Sequence, residues 1–165
     1  MSQHAHRQHD VGSVGCAVIT VSDTRTPADD RSGRRIQELL TEQGHRVEHY
    51  RILKDEPAAI VAAIAAMPQS VAVVIINGGT GLAPRDTTFE AVSRLLEKQI
   101  TGFGELFRML SYEQIGAAAM LSRAIAGVVG DRMLFSLPGS TAAVELAMTK
   151  LILPQLGHVA GLLRS

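Results

Sequence analysis

The sequence predicts a single α/β domain, a three-layer, doubly wound fold whose mostly parallel sheet contains one antiparallel strand. Short apolar, β-branched runs alternate with helical patterns in the first half, as in consecutive βαβ units. In the second half, two apolar segments flank a Gly-Asp pair, which favours a hairpin and therefore an antiparallel strand. The chain has 165 residues, 46% hydrophobic and 19% charged, which fits one domain with a buried core.

The first predicted unit is a buried strand followed by a helix. Val14–Val21 is short, apolar and β-branched, and it ends at Ser22-Asp23, a pair typical of turns. The polar residues 24–33 predict a loop. Apolar residues then recur at helical spacing until Gly44, which predicts the first helix.

Two further units follow. The alternating segment His45–Leu53 predicts a second strand, and Lys54–Pro57 has the acidic residues and proline typical of a helix start. The expected apolar stripe of that helix is Ile60, Val61 and Ile64. Val71–Ile76 is wholly apolar and β-branched, as expected at the centre of a parallel sheet. A glycine-rich loop over residues 77–88 follows it.

The second half has less regular patterns. In order, it predicts helices over Thr88–Lys98 and Gly104–Ile115, strands over Ser122–Val129 and Arg132–Leu137 around the turn Gly130-Asp131, and helices over Thr141–Ile152 and after Pro154. We also expect three methionines, Met109, Met120 and Met133, to fill the core.

Composition excludes several functional classes. Sixteen Lys and Arg balance sixteen Asp and Glu, whereas a nucleic-acid-binding protein normally has a basic excess. No apolar run approaches the roughly 20 residues that a membrane span needs. The single Cys16 excludes an intrachain disulfide framework and suits a reducing compartment. We therefore expect a cytoplasmic protein that binds neither nucleic acid nor membrane.

The N-terminal residues 1–13 are polar and show no periodicity, so we predict a disordered tail followed by one domain over residues 14–165. The tail holds three of the six histidines. A metal-binding tail is the alternative interpretation, but no predicted rigid element would fix such ligands.

Four polar segments follow predicted strands. In open α/β sheets, ligands bind beyond the carboxyl ends of the strands. The segments at those ends are Ser22-Asp23, Lys54-Asp55, residues 77–88 and Pro138–Ser140. The topology therefore predicts that they converge at one edge of the sheet and form a ligand site.

The loop after the central strand has the composition of an anion-binding loop. Gly78, Gly79 and Gly81 stand within four positions, which lets the backbone approach an anion closely and offers its amides as donors. Neither the Gly-Lys-Ser/Thr of a Walker loop nor the dinucleotide fingerprint is present. A simple connection is the alternative, but three glycines with Thr80 exceed what a connection needs.

Acidic residues beside this loop are candidate magnesium ligands, because Mg²⁺ is usually held by one or two carboxylates and substrate phosphates. Asp86 lies one place before Thr87-x-x-Glu90, a sequence that predicts a capping box. Asp55 is either a ligand or a residue that favours the dipole of the following helix. Ser22-Asp23 is either an Asx turn or a ligand contact. The sequence leaves both of these choices open.

These motifs resemble the MoaB and Mog family of molybdenum cofactor biosynthesis proteins, whose domain also occurs in gephyrin. The resemblance extends from Val14 to His158. It rests on Ile76–Gly81 (INGGTG) with Pro84-Arg85-Asp86, on Gly102–Arg108 (GFGELFR), on Leu121–Ala124 (LSRA) and on Leu137–Ser140 (LPGS). Phe107–Gly116 (FRMLSYEQIG) and the Pro-Gly-Ser segment favour the MoaB branch.

The resemblance implies binding of molybdopterin and its adenylylation by ATP with Mg²⁺, which gives adenylyl-molybdopterin and pyrophosphate. It places Asp55 and Asp86 at the two acidic positions that the family uses for catalysis and magnesium. It further implies substrate or nucleotide contacts at Ser22, Asp23, Gly78, Gly79, Thr80, Gly81, Thr87, Ser111, Pro138, Gly139 and Ser140, with Arg123 as an additional candidate.

One departure from the family pattern stands out. Members often have a proline at the start of the helix after the acidic position, where this chain has Phe89, although Asp86 and Glu90 stay in register. The resemblance also implies a homo-oligomer, a trimer or a hexamer, that works with other enzymes of the molybdenum cofactor pathway. A non-catalytic molybdopterin carrier and a structural oligomerisation module are the alternative functions.

Overall fold

The computed structural model describes residues 10–165, which form a six-stranded sheet with helices on both faces. The strands are β1 (Gly15–Val21), β2 (Arg46–Leu53), β3 (Val73–Asn77), β4 (Lys98–Gln99), β5 (Ile125–Val129) and β6 (Arg132–Leu137). Their order in the sheet is β2-β1-β3-β6-β5-β4. Strands β2, β1, β3 and β6 are parallel, and β5 runs antiparallel to both of its neighbours. The predicted fold class is confirmed.

The helices form the two outer layers. They are α1 (Arg31–Glu42), α2 (Pro57–Ala65), α3 (Thr88–Leu95), α4 (Thr101–Ile115), α5 (Thr141–Ala147) and α6 (Leu156–Leu162). Apolar residues of α1, α4, α5 and α6 share one core with one face of the sheet, and those of α2 and α3 share a second core with the opposite face. Because β1 and β3 are buried on both faces, they are apolar at nearly every position.

Three details differ from the predicted elements. The helix after the glycine loop ends at Leu95, and the chain then forms the two-residue strand β4, which is too short for a sequence pattern. The predicted helix over Thr141–Ile152 changes to a π-helical turn at Met148, and Pro154, which lacks a backbone N–H, follows in a 3₁₀ turn. In α2, Ala63 is buried where Val61 was expected, and Val61 is exposed.

The methionine prediction is wrong for two of three residues. Met133 is buried on β6, but Met109 and Met120 are 56% and 77% exposed. Both lie on an apolar surface of α4 and the following 3₁₀ turn, Gly116–Leu121. These two methionines therefore add apolar area to the surface of the chain and not to its core.

The described part of the N-terminal segment contacts the domain. The backbone N–H of Val11 donates to the carbonyl oxygen of Gly157 at 3.2 Å, and the Val11 side chain packs against the larger core. The predicted disordered tail otherwise falls on residues 1–9, which lie outside the described residues. Within residues 10–165, no helix is both long enough and apolar enough to cross a membrane.

Candidate functional site

The carboxyl ends of β1, β3 and β6 form the floor of the candidate site. Strand register places Thr20 beside Asn77 and Asn77 beside Leu137, so the three segments that follow these strands emerge side by side. The backbone N–H of Gly78 donates to the carbonyl oxygen of Leu137 at 3.0 Å, which joins two of the segments directly. The structure thus brings the predicted polar segments to one edge of the sheet.

Two clefts open at this edge. The glycine-loop cleft, of about 490 Å³, lies between Ser22, Arg25, the glycine loop (residues 78–81), Pro138 and Gly139. The outer cleft, of about 420 Å³, is lined by apolar residues such as Pro57 and Leu82 and by charged residues of α3 and its surroundings. Asp86 lines both clefts, so its carboxylate stands where two ligands would meet.

The backbone of the glycine loop requires glycine at its first two positions. Gly78 and Gly79 have φ angles of +97° and +68°, in the left-handed region that side chains disfavour. A Cβ on Gly78 would lie 2.2 Å from the carbonyl oxygen of Val21, and one on Gly79 would lie 2.0 Å from Oγ1 of Thr88. Larger residues would therefore push the loop away from the sheet and from α3.

The glycine loop leaves donors unused. Within residues 10–165, the backbone N–H groups of Gly79, Thr80 and Gly81 have no hydrogen-bond acceptor. Successive amides that follow left-handed residues form a concave nest that suits an anion. The loop therefore has the geometry that its composition predicted.

Asp86 supplies an unused acceptor next to these donors. Its backbone N–H donates to the carbonyl oxygen of Ala83 at 2.9 Å, but its carboxylate has no hydrogen bond or ion pair with any described residue. A Cβ on Gly81 would lie 2.6 Å from its Oδ2 atom, so the carboxylate rests against the glycine loop. This half-buried carboxylate is available to a cation or a donor on a ligand.

Asp55, the second predicted acidic residue, already accepts three hydrogen bonds. It is 6% exposed, and its oxygens accept hydrogen bonds from the Thr87 backbone N–H at 3.1 Å, the Thr87 hydroxyl at 2.8 Å and the Thr88 hydroxyl at 3.1 Å. Its Oδ2 also lies 2.5 Å from where a Cβ on Gly79 would be. Asp55 thus fastens the segment after β2 to the start of α3.

The predicted capping box is wrong. Thr87 occupies the N-cap position of α3, but its side chain makes no cap hydrogen bond and its hydroxyl donates to Asp55 instead. Glu90 pairs with Arg123, which holds the pKa of the Glu90 carboxyl below its ordinary value. Both Thr87 and Glu90 bind charged side chains from distant segments, and these charge-assisted contacts are stronger than hydrogen bonds to the local backbone N–H groups.

Ser22 and Asp23 both form the turn after β1. The Ser22 hydroxyl oxygen accepts from the backbone N–H of Arg25 at 3.1 Å. Asp23 pairs with Arg85, whose Nη2 donates to Oδ1 at 2.8 Å, and this contact lowers the pKa of the Asp23 carboxyl. The same Oδ1 accepts from the Asp55 backbone N–H at 3.2 Å. Side-chain hydrogen bonds of Ser22 and Asp23 therefore hold this turn together. Ser22 also lines the glycine-loop cleft.

The remaining predicted contacts divide into two groups. Gly139 lies against the glycine loop, since a Cβ there would be 3.2 Å from the Gly78 Cα, and the Ser140 hydroxyl caps α5 by accepting from Ala143 N–H at 3.2 Å. Ser111 instead lies on the buried face of α4 with Phe107 and lines neither cleft. The structure does not bring Ser111 to the site.

Arg25 is a site residue that the sequence analysis missed. It lines the glycine-loop cleft, its Nη1 donates to the Ser32 hydroxyl at 2.6 Å, and its Nη2 donates to the Gly139 carbonyl oxygen at 3.4 Å. Its position directly after the Ser22-Asp23 turn is the signal that could have identified it. Arg25 brings a positive charge to a cleft that also contains the glycine-loop amides and the Asp86 carboxylate.

A buried polar network on the protein side of Arg25 holds its side chain in place. Asp30 is fully buried, lies 3.5 Å from Arg25 Nη1, and accepts hydrogen bonds of 2.6 Å from both the Thr20 and the Tyr50 hydroxyls. Burial alone would raise the pKa of the Asp30 carboxyl, but these hydrogen bonds and Arg25 outweigh it and lower the pKa. The Ser32 hydroxyl continues the network to Asn77 at 2.8 Å.

The site is better suited to a metal ion that binds together with a phosphate ligand than to a metal ion held by protein side chains alone. Among residues 10–165, no group of three or more His, Cys, Asp or Glu side chains is close enough to hold a metal ion. Asp86 together with ligand phosphates still matches the one or two carboxylates that magnesium sites use. The donor set therefore fits a magnesium ion bound to a polyphosphate.

Free loop amides, a cationic side chain and an unpaired carboxylate at the carboxyl edge of the sheet give this α/β domain the features of an anion-binding site. Comparisons with known proteins identify its family. A family described as "Probable molybdopterin binding domain" matches residues 17–158. Molybdenum cofactor biosynthesis protein B of Bacillus cereus is 54% identical over 162 residues, which are 96% of this chain and 96% of that protein.

Solved structures agree. A crystal structure of Molybdenum cofactor biosynthesis protein B matches with a TM-score of 0.90 and 55% identity, over 92% of this chain and 96% of that one. The tungsten cofactor synthesizing protein MoaB from Pyrococcus furiosus matches with a TM-score of 0.81 and 36% identity, over 93% and 98%. This chain belongs to the MoaB-type family of molybdenum cofactor biosynthesis proteins, which carries a molybdopterin-binding domain. The predicted family is confirmed.

Proposed function

We propose that this protein binds molybdopterin and adenylylates its terminal phosphate with Mg-ATP. One observation carries the proposal. The unpaired amides of the glycine loop lie beside the unpaired carboxylate of Asp86, and Asp86 borders both clefts. A reaction between two phosphate-bearing substrates needs hydrogen-bond donors for the phosphates and a metal-binding carboxylate at the junction of the two binding sites. The glycine-loop amides and Asp86 have this arrangement.

In the proposed reaction, a phosphate oxygen of molybdopterin attacks the α-phosphorus of ATP. The bond between that phosphorus and the oxygen bridging to the β-phosphate breaks, and its electron pair leaves with pyrophosphate. The attacking oxygen is already an anion, so no general base is needed. The chain contributes positioning and charge neutralisation through the glycine-loop amides and Arg25.

Magnesium would be held by Asp86, with Asp55 as the second carboxylate, together with phosphate oxygens of the substrate. When bound, the ion supplies neutralisation of the negative charge on those phosphates. Ser22, Pro138 and Gly139 in the glycine-loop cleft remain predicted substrate contacts, as do Thr87 at the outer cleft and Ser140 at the start of α5.

The test is incubation of the purified protein with molybdopterin and Mg-ATP, with chromatographic detection of adenylyl-molybdopterin and pyrophosphate. Asp86→Asn should lower the rate about 100-fold or more without a change in stability, because the Asp86 carboxylate has no intrachain partner to lose. Asp131→Asn, an exposed carboxylate in the β5–β6 turn, is the matched control and should keep the full rate. An unchanged rate in Asp86→Asn would remove Asp86 from the mechanism.

A second candidate function is a molybdopterin carrier that catalyses no transfer. It is favoured by the three hydrogen bonds that Asp55 already accepts, which leave Asp86 as the one of these two carboxylates without hydrogen-bond partners. Calorimetry would then show molybdopterin binding to the wild-type protein, while ATP with molybdopterin would yield no pyrophosphate. Formation of pyrophosphate would exclude this candidate.

We also propose that the protein acts in the cytoplasm as a homo-oligomer, a trimer or a hexamer, together with other enzymes of the pathway. The support for an oligomer is the group of exposed apolar side chains on α4, Leu106, Met109, Tyr112 and Ile115. Exposed apolar residues grouped in this way mark interaction surfaces. Light scattering should show an oligomer for the wild-type protein and a smaller species for Met109→Glu.

A further inference from the structure

Arg123 grips the outer side of the glycine loop. Its Nε donates to the Thr80 carbonyl oxygen at 3.0 Å, and its Nη2 donates to the Gly81 carbonyl oxygen. Its Nη1 pairs with Glu90, and its guanidinium carbon lies 4.8 Å from the centre of the Phe89 ring. Every guanidinium nitrogen therefore has an acceptor within the chain, and a carboxylate already balances its charge.

These contacts fix the direction of the loop amides. In a trans peptide unit, the C=O and the following N–H point to opposite sides. The Thr80 carbonyl shares its peptide plane with the Gly81 N–H, and the Gly81 carbonyl shares its plane with the Leu82 N–H. Because Arg123 holds both carbonyl oxygens, both N–H groups must point away from Arg123.

We propose that Arg123 is a positioning residue that keeps the glycine loop rigid and its amides directed toward a bound phosphate. The proposal deepens the proposed function and rests on it for the identity of the phosphate. It assigns to Arg123 an action through the loop, whereas the family resemblance offered it as a ligand contact. It also requires the fork of a guanidinium, because a lysine ammonium is a point charge that cannot bind two carbonyl oxygens in a fixed plane.

Phe89 helps to hold Arg123 in place. It stands where the family pattern often has proline, and its ring face lies against the guanidinium, a geometry of cation–π contacts. Glu90, the next residue of α3, binds the same guanidinium. The start of α3 thus holds Arg123, and Arg123 holds the loop.

The first experiment measures backbone ¹⁵N relaxation in the full chain. Residues 80–82 should have order parameters near 0.85 in the wild-type protein and below about 0.6 in both Arg123→Ala and Arg123→Lys. Phe89→Leu keeps the arginine and should give an intermediate decrease, which provides a milder variant if Arg123→Ala folds poorly. Arg51→Ala is the control, because Arg51 is an exposed arginine of β2 that lines neither cleft.

The second experiment titrates the same variants with magnesium and inorganic pyrophosphate. Loss of the two contacts of Arg123 with the loop carbonyl oxygens should weaken binding about tenfold in Arg123→Ala and Arg123→Lys, as expected for lost charge-assisted hydrogen bonds. Arg51→Ala should bind within twofold of the wild-type protein.

The outcomes separate the two proposals. Wild-type order and affinity in Arg123→Lys would overturn the positioning role of Arg123, because charge alone would then suffice. Equal weakening of binding in Arg51→Ala would overturn it in the same way. If the wild-type protein binds no pyrophosphate, the glycine loop does not bind the phosphates as the proposed function requires, yet the order parameters of residues 80–82 still decide whether Arg123 positions the loop. Unchanged order in Arg123→Ala would refute it.

Discussion

Replacement of Asp55 by asparagine and by alanine should separate its structural role from a chemical one. In the structure, Asp55 Oδ2 accepts a backbone N–H, which cannot reorient, and Oδ1 accepts two threonine hydroxyls, which can. An asparagine in the orientation that places its oxygen on the Thr87 N–H can donate its amide protons to the hydroxyls. Asp55→Asn therefore retains a partner for every group, whereas Asp55→Ala retains none.

The magnitudes follow from what each variant leaves unpaired. Asp55→Ala strands the Thr87 N–H and the fully buried Thr88 hydroxyl, and a buried unsatisfied group costs about 1–3 kcal/mol. The expected loss is about 2–5 kcal/mol of unfolding free energy. Asp55→Asn loses only the charge assistance of its hydrogen bonds, in part offset by the lower desolvation cost of a neutral group, so we expect a loss of about 1 kcal/mol.

Urea unfolding followed by circular dichroism, at one protein concentration for all variants, measures these differences. The adenylylation assay on the same samples completes the test. If Asp55 is the second magnesium carboxylate, Asp55→Asn should fold and yet lose turnover. Full turnover in Asp55→Asn would limit Asp55 to its structural role, and equal destabilisation by both variants would refute the hydrogen-bond argument itself.

Three further predictions concern the surroundings of the site. Because the folded-state pKa of Asp30 is lowered, the Asp30 carboxylate stabilises the fold above the ordinary aspartate pKa of about 4, and this stabilisation is lost as pH falls below it. In urea unfolding, the wild-type protein should therefore lose more free energy of unfolding between pH 5 and pH 3 than Asp30→Asn does. Gly79→Ala should abolish pyrophosphate binding in calorimetry and lower the melting temperature, since its left-handed φ and the Thr88 contact both oppose a Cβ; wild-type affinity would contradict this. Burial raises the pKa of Cys16 to about 12, so a thiol reagent at pH 8 should label it only after unfolding, and labelling of the folded protein would show that the core opens.

The convergence of the site could be predicted because it follows from strand direction alone. Parallel strands place the residues after β1, β3 and β6 at one edge, whatever the side chains do afterwards. The conformation of the glycine loop was predictable for a similar reason, since Gly78 and Gly79 adopt φ values that other residues avoid. Backbone constraints of this kind are local, and the sequence displays them directly.

Side-chain partners from distant segments could not be predicted. Thr87 and Glu90 match a local capping pattern, but they bind Asp55 and Arg123, which are 32 and 33 residues away in the chain. Met109 has the hydropathy of a core residue, and only the packing of α4, which buries Phe103 and Phe107, decides that Met109 faces outward. In both cases the deciding energy comes from tertiary neighbours, which periodicity does not encode.

The distribution of satisfied and unsatisfied groups argues that the site is complete only with a ligand. Around the glycine loop, Asp23, Asp55 and Glu90 all have strong partners. The amides of Gly79, Thr80 and Gly81 and the Asp86 carboxylate, which lie next to one another, have none among residues 10–165. A ligand that presents both an anion and a cation, such as a magnesium-bound phosphate, satisfies both at once. A bare anion would meet repulsion from Asp86, so pyrophosphate should bind more tightly with magnesium than without it.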